Sequence, residues 1–167
     1  GPTLRAALVP AVDIEARFLD IQVFADIFEL VHDIADLRLA AESLRYLPKL
    51  GSIRLGEERS GLSWADIGVL QQACPEANIR YNFTLYGKEF DLQNTMLNLS
   101  HVPVDDRGES LREVLPYMNK LTYVDMDSCG VSNEDMAKLR DDFPEIKIVW
   151  RIWFGSNLNY SVRTDVE

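Results

Sequence analysis

The sequence predicts an α/β chain: a strand–helix solenoid with a mostly parallel sheet and inserted β-hairpins. One phrase recurs around three prolines. It reads Leu8-Val9-Pro10-Ala11-Val12-Asp13-Ile14, Ala73-Cys74-Pro75-Glu76-Ala77-Asn78-Ile79 and Asp142-Phe143-Pro144-Glu145-Ile146-Lys147-Ile148. The prolines lie 65 and 69 residues apart. That is too long for one small solenoid coil, so each copy is expected to hold two strand–helix units. Each proline also closes a helix-like stretch and opens an alternating apolar run, as a helix stop followed by a strand requires. Turn-forming Tyr86-Gly87-Lys88 and Gly155-Ser156-Asn157 interrupt those runs where hairpins would fold back. The long repeats are placed at about 10–74 and 75–143, with a partial third at 144–167.

The last copy shows how the elements are justified. Leu121, Val124, Met126, Cys129 and Val131 fall where a strand and its exit turn put side chains inward. Ser132 is then a helix N-cap with Asp135 three residues on, and Met136, Leu139 and Phe143 form an apolar stripe. Pro144 ends that helix, and Ile146, Ile148, Trp150 and Ile152 alternate as the next strand. Glu42-Ser43-Leu44-Arg45 recurs as Glu109-Ser110-Leu111-Arg112, each leading through Pro48 or Pro116 toward a strand at Leu50 or Leu121.

Alternating runs at Leu19-Ile21-Val23, Tyr81-Phe83-Leu85 and Trp150-Ile152-Phe154 are read as outgoing hairpin strands. Phe28-Glu29-Leu30, Phe90-Asp91-Leu92 and Tyr160-Ser161-Val162 are read as their return strands. Strands are thus expected at 17–24 and 34–39. A rival local reading makes 13–47 one long amphipathic helix, because its apolar residues also fit a 3.6-residue period.

A chain of 167 residues can bury one proper core, and its apolar fraction is that of a folded protein. Residues 3–167 are expected to form a single repeat domain. The formal charge of −10 argues against nucleic acid, which needs a Lys/Arg surplus on one face. It also disfavours an anionic membrane surface, and no run approaches the roughly 18–20 apolar residues of a membrane span. Neither membrane insertion nor a signal peptide is expected. Cys74 and Cys129 are too few for a disulfide framework. Gly1-Pro2 at residues 1–2 reads as a tag-cleavage remnant, so the chain is expected to be cut from something longer.

The run Leu121-x-x-Val124-x-Met126-x-x-Cys129-x-Val131, followed by a helix, resembles the leucine-rich repeat, specifically its ribonuclease-inhibitor-like subclass. A second match runs Leu50, Ile53 and Leu55 into Leu62-Ser63-Trp64-Ala65-Asp66 and Leu70. There the turn is two residues longer and Glu58 replaces the Cys. A third is Leu97, Leu99, Val102 and Val104, with Asn94 departing from the pattern at its first position. The resemblance covers most of the chain from residue 34 onward. The Pro-Glu before the strand and the Thr-Asp after the hairpin resemble units of multidomain bacterial proteins, often at the cell surface. A secreted or cell-surface location is the expectation this implies.

On such a sheet the residues between the inward leucines face the open side. Those are Asp36, Arg38, Arg54, Asn98, Ser100, Tyr123, Asp125 and Asp127, a polar patch that could face a ligand. Solvated strand positions must be polar in any case, so the patch also has a plain structural explanation. Trp153 would turn to the side opposite Trp150 and Ile152. If that side is open, it joins Tyr86 and Tyr160 in an aromatic surface suited to docking a neighbouring repeat or domain. Trp150, aligned with Tyr81, is expected in the core.

Catalysis and metals find little support. Asp125 and Asp127 point the same way, but a hard cation wants six to eight oxygens. Asp105-Asp106 and Asp141-Asp142 are read as a turn leading into a helix and a solvated helix end. His101 beside Ser100 lacks a third orienting group. Cys129 is a buried turn residue whose S–H serves the backbone. No Gly-rich phosphate loop or zinc spacing occurs, and no cofactor is expected.

The sequence therefore reads as a non-enzymatic module for protein or surface-ligand interaction. A spacer with no ligand of its own and, at the far end, an enzyme with an acidic concave cleft are the alternatives. Leu4-Arg5-Ala6-Ala7-Leu8 aligns with the closing helix at Leu139–Phe143, so neighbouring repeats or domains are expected in the parent chain.

Overall fold

Helix caps and apolar alternation place the elements, and backbone ladders sort them into small sheets. The computed structural model describes residues 28–30, 51–55, 63–154 and 160–165. In chain order the elements are β1 (Phe28–Leu30), β2 (Ser52–Leu55), α1 (Trp64–Ala73), β3 (Asn78–Arg80), β4 (Asn82–Leu85), β5 (Lys88–Asp91) and β6 (Met96–Asn98). There follow α2 (Glu109–Val114) with a 3-10 turn at Leu115–Tyr117, β7 (Tyr123–Asp125), α3 (Asn133–Asp142), β8 (Lys147–Val149), β9 (Arg151–Phe154) and β10 (Tyr160–Arg163). The result is a mixed α/β protein with small parallel and antiparallel sheets.

Helix α1 begins at Ser63, whose hydroxyl accepts from the Asp66 amide (3.3 Å) while the Asp66 carboxylate accepts from the Ser63 amide (3.0 Å). This reciprocal capping box satisfies two otherwise orphaned donors. Ile67, Leu70 and Ala73 form its buried face. The Cys74 amide donates to the Leu70 carbonyl, and a tight Ala77-to-Cys74 turn carries the chain past Pro75 into β3. Helix α3 repeats these moves. The Ser132 hydroxyl accepts from the Asp135 amide (3.1 Å), Met136 and Leu139 are buried, and Phe143 donates to Leu139 before the turn at Ile146.

The strands form two parallel trios. β1, β2 and β3 align Phe28, Ile53 and Ile79; β6, β7 and β8 align Leu97, Val124 and Ile148. Matched residues of the two trios lie 69, 71 and 69 residues apart, so the sequence repeat is also a repeat of sheet register. Between strands, Leu97, Leu99, Val102 and Val104 recur as Val124, Met126, Cys129 and Val131. All are buried except the half-buried Val131. Leu111, Val114, Leu115 and Met118 complete this core from the α2 side.

The chain divides into two compact units, residues 1–82 and 83–167. The β1–β2–β3 sheet and α1 belong to the first. The β6–β7–β8 sheet, α2, α3, β5, β9 and β10 belong to the second, and β4 begins at the boundary. Among the described residues no helix is long and apolar enough to cross a membrane.

Two expectations need correction. Phe28–Leu30 is not a hairpin return strand: its ladder runs parallel to β2, at the register level that Ile53 shares with Ile79. A strand there also rules out one continuous helix over 13–47. The expected strands at 17–24 and 34–39 lie outside the described residues. Second, the alternation from Ile146 to Ile152 is not one strand. It breaks at Trp150, whose amide donates to Thr164 Oγ1 (3.1 Å) and whose carbonyl accepts from the Thr164 amide (3.0 Å). Those bonds hand the chain from the parallel sheet to the antiparallel β9–β10 pair. Tyr81 marks the same break between β3 and β4.

Candidate interaction surface

The polar strand positions are first used by the chain itself. Asn98 and Asp125 are register partners at the ends of β6 and β7. Each accepts from the amide two residues on: Asn98 Oδ1 from Ser100 (3.1 Å), Asp125 Oδ1 from Asp127 (2.9 Å). These Asx turns bend the chain out of each strand. The next residue, His101 or Ser128, has a positive φ (61° and 59°). The His101 amide donates to the Asp127 carbonyl, and Cys129 Sγ donates to the Leu99 carbonyl at 3.0 Å. Burial pushes the Cys129 thiol up to about 11, so it stays a protonated turn residue.

Asp127 is not an open acid. It is 3% exposed and accepts from two guanidinium groups. Arg151 binds it as a fork, Nε to Oδ1 and Nη2 to Oδ2, both at 2.9 Å. Arg163 Nη1 reaches Oδ2 at 3.1 Å, and Ser128 Oγ donates to Oδ1 at 2.9 Å. Arg163 also binds Asp125 (3.1 Å) and Asp165 (3.1 and 3.0 Å), and Nη2 lies 3.4 Å from the Tyr123 hydroxyl. Bonds from Arg151, opposed by desolvation but aided by Ser128 and Arg163, hold the Asp127 carboxyl far below the usual range. Three carboxylates thus share two guanidinium groups, and the cluster fastens β9–β10 over the polar side of the β6–β7–β8 sheet.

The fastening turns the hairpin's other side outward. Arg151, Trp153, Ser161 and Arg163 alternate onto the side that carries the cluster, where Arg151 Nη1 also meets Ser161 Oγ at 3.1 Å. The opposite side carries Ile152 and Phe154, with Ile152 opposite Val162 and Phe154 opposite Tyr160. Phe154 is 53% and Val162 48% exposed, and Trp153 at the hairpin's edge is 59% exposed. A hairpin with its charges inside and its apolar residues outside inverts the usual arrangement.

Hairpin β4–β5 shows the usual one. It turns at Tyr86-Gly87, both at positive φ (49° and 77°) as a type I′ turn needs. Phe83 and Leu85, equivalent to Ile152 and Phe154, are 8% and 5% exposed. The hairpin is tied to the segment that follows it. Tyr86 Oη donates to Asp106 Oδ1 (2.8 Å) and accepts from the Leu111 amide (3.2 Å), and Lys88 Nζ donates to the Asn98 carbonyl (3.0 Å). Desolvation opposes ionisation of Asp106, yet bonds from Ser110, Tyr86 and Gly108 bring its pKa down to about 2. Asp106 is the turn-and-helix-start residue the sequence suggested.

The predicted surface residues therefore separate. Tyr123, Asp125 and Asp127 come together, but within the arginine cluster. Asn98 is exposed and Ser100 half-buried, both in the first Asx turn. Trp153 is exposed as expected, and Trp150 is buried. Tyr86 is half-buried and bonded, so it does not join an open aromatic surface. Arg54 is placed by its backbone alone, on β2 between Glu29 and Arg80. Asp36 and Arg38 lie outside the described residues. Sequence reasoning missed Arg151, Arg163 and Asp165. The signal was available: the two arginines are cross-strand partners on the side opposite Ile152 and Val162.

No group of three or more His, Cys, Asp or Glu side chains placed to hold a metal occurs among the described residues. A scan against protein-family models and searches of curated proteins and of solved structures found no match to this chain.

Proposed function

We propose that the chain is a non-enzymatic, leucine-rich-repeat-like module that acts by protein interaction, and that its contact surface is the outer side of hairpin β9–β10. One observation carries the reading: Phe154 and Val162 are exposed together on the side of the hairpin that faces away from its bonded arginines. Apolar residues clustered on a surface cost solubility and are commonly the sites of association. The repeated strand exits, with Leu97, Leu99 and Val102 matching Val124, Met126 and Cys129 in burial, support the leucine-rich-repeat-like part of the reading. The arginine-neutralised Asp125 and Asp127 make the polar strand face a poorer candidate for a ligand than the hairpin.

The test is site-specific photo-cross-linking in extract of the source organism. A photoreactive residue replaces the outward Phe154 in one variant and the exposed Glu145 in another. Adducts from position 154 and none from 145 are expected. Equal labelling at both, or none at either, would leave the spacer reading in its place.

A further inference from the structure

Hairpin β4–β5 offers an internal template for what covers its counterpart. Its apolar side, Phe83 and Leu85, is buried, and three hydrogen bonds tie it to residues Asn98, Asp106 and Leu111. Those residues belong to one strand–loop–helix segment, β6 through α2, which starts five residues after β5 ends. The segment the hairpin is tied to brings its own apolar residues, with Leu97, Leu99, Val104 and Leu111 all buried. A shift of 69 residues carries Phe83 and Leu85 onto Ile152 and Phe154, alternate positions on the outgoing strand of the second antiparallel pair. There the side is open: Phe154 and Val162 are exposed.

We propose that the outer side of hairpin β9–β10, carrying Ile152, Phe154 and Val162, docks a further repeat of the same kind through a strand–loop–helix segment built like residues 96–114. This rests on the reading of the chain as an interaction module and names its partner. The occupant follows from chemistry as well as from repetition. Side chains at 152, 154 and 162 offer no charge and no hydrogen-bond donor, so they select an apolar strand and helix face over a charged peptide or a polar ligand. The Arg151 and Arg163 cluster is already saturated with carboxylates on the other side. It orients the hairpin for docking and does not compete for the partner.

The experiment compares the chain with a version extended after Glu167 by a second copy of residues 92–117. Both carry Phe154→Cys, and the native Cys74 and Cys129 are buried. Thiol labelling at position 154 is expected to slow at least about tenfold in the extended chain, as burial against a folded partner requires. The slowing is expected to be independent of protein concentration, because the unit is tethered. Hydrogen exchange of β9 and β10 should fall with it. Labelling that the extension leaves unchanged, whether or not the added unit folds, overturns the proposal. So does an unextended chain that protects position 154 as its concentration rises, which would assign the face to a second copy. Cross-linking from position 154 to a protein without such a segment, with no protection by the extension, would sink this inference while the interaction reading stands.

Discussion

Residues Ser63–Arg80 and Ser132–Val149 are two versions of one helix–turn–strand, 69 residues apart, and their differences are confined to side-chain partners. Both begin at a serine N-cap, bury Leu70 or Leu139, close at an amide bonded four residues back, and enter a parallel strand after a proline. Where the first copy has Trp64 edge-on to Tyr81 (6.1 Å between centroids, 83°), the second has Asn133 accepting from the Trp150 indole at 3.2 Å. Arg140, equivalent to Gln71, lies over the Trp150 ring at 5.3 Å. Asp66 closes its capping box on Ser63, whereas Asp135 is shared between Ser132 and a fork from Arg107 (2.8 and 3.1 Å). The backbone answers to caps, prolines and buried apolar positions. The helix-to-strand contact accepts any pair that fills the same space and satisfies its polar atoms.

The hairpins that follow the two copies differ more, and they give the sharpest test. Phe83→Ala should cost about 3 kcal/mol of stability, while Phe154→Ala should change it by no more than about 0.5 kcal/mol. Urea unfolding of the two variants checks this, and equal losses would break the contrast between a covered and an open hairpin.

Asp127→Asn comes next. It leaves two guanidinium groups short of a carboxylate, but Asp125, Asp165 and solvent still serve them, so the loss should be about 2 kcal/mol. Ser100→Ala, at the equivalent position of the preceding strand exit, should stay below about 0.5 kcal/mol. If the two variants melt alike, the cluster does not fasten the hairpin.

Bonded carboxylates, Asp127 among them, give the second unit an acid limit. Folded-state values for Asp106 and Asp135 lie at about 2, and that of Asp127 is also depressed; the unfolded value is 3.8. A lowered folded pKa stabilises above the unfolded value, and that contribution is lost as pH falls through the folded one. Stability of residues 83–167 should therefore hold down to about pH 4 and fall between about pH 4 and 2. Asp127→Asn should shrink that fall in an acid titration followed by circular dichroism. An unchanged slope would mean that the pair is screened.

Asn133→Ala should cost about 1 kcal/mol by leaving the buried Trp150 indole N–H without its acceptor. The double variant Asn133→Trp, Trp150→Tyr installs the first copy's pair in the second, and should recover most of the loss. Failure to recover would show that the two contacts are not interchangeable. The two caps give the smallest difference between copies. Ser63→Ala should lose about 1 kcal/mol and Ser132→Ala somewhat less, because only Ser63 has the reciprocal box. Thermal melts of the two variants rank them.

Much of this was legible in one dimension. Ser132 and Asp135 mark a helix start because a short side chain must serve the first free amides, and that need is local. Leu97, Leu99, Val102 and their counterparts from Val124 announce a buried strand exit by spacing alone. Phe28–Leu30 was misplaced because a three-residue strand has too few side chains to tell a parallel neighbour from a hairpin return. The run through Trp150 was read as one strand because alternation continues across a change of sheet. Only the Thr164 bonds, fourteen residues away, reveal the break.

By itself, then, the sequence determined the period of the repeat, the helix caps, the exit turns and the inward leucines. Each depends on residues within a few positions of one another, where spacing and direction coincide. Tertiary structure alone decided that Asp125 and Asp127 would face Arg151 and Arg163 instead of solvent, and that Phe154 and Val162 would face outward in consequence. Alternation assigns residues to two sides of a hairpin but says nothing about which side meets the sheet. Charge pairing across 24 to 38 residues settled that, and with it the side this hairpin turns outward.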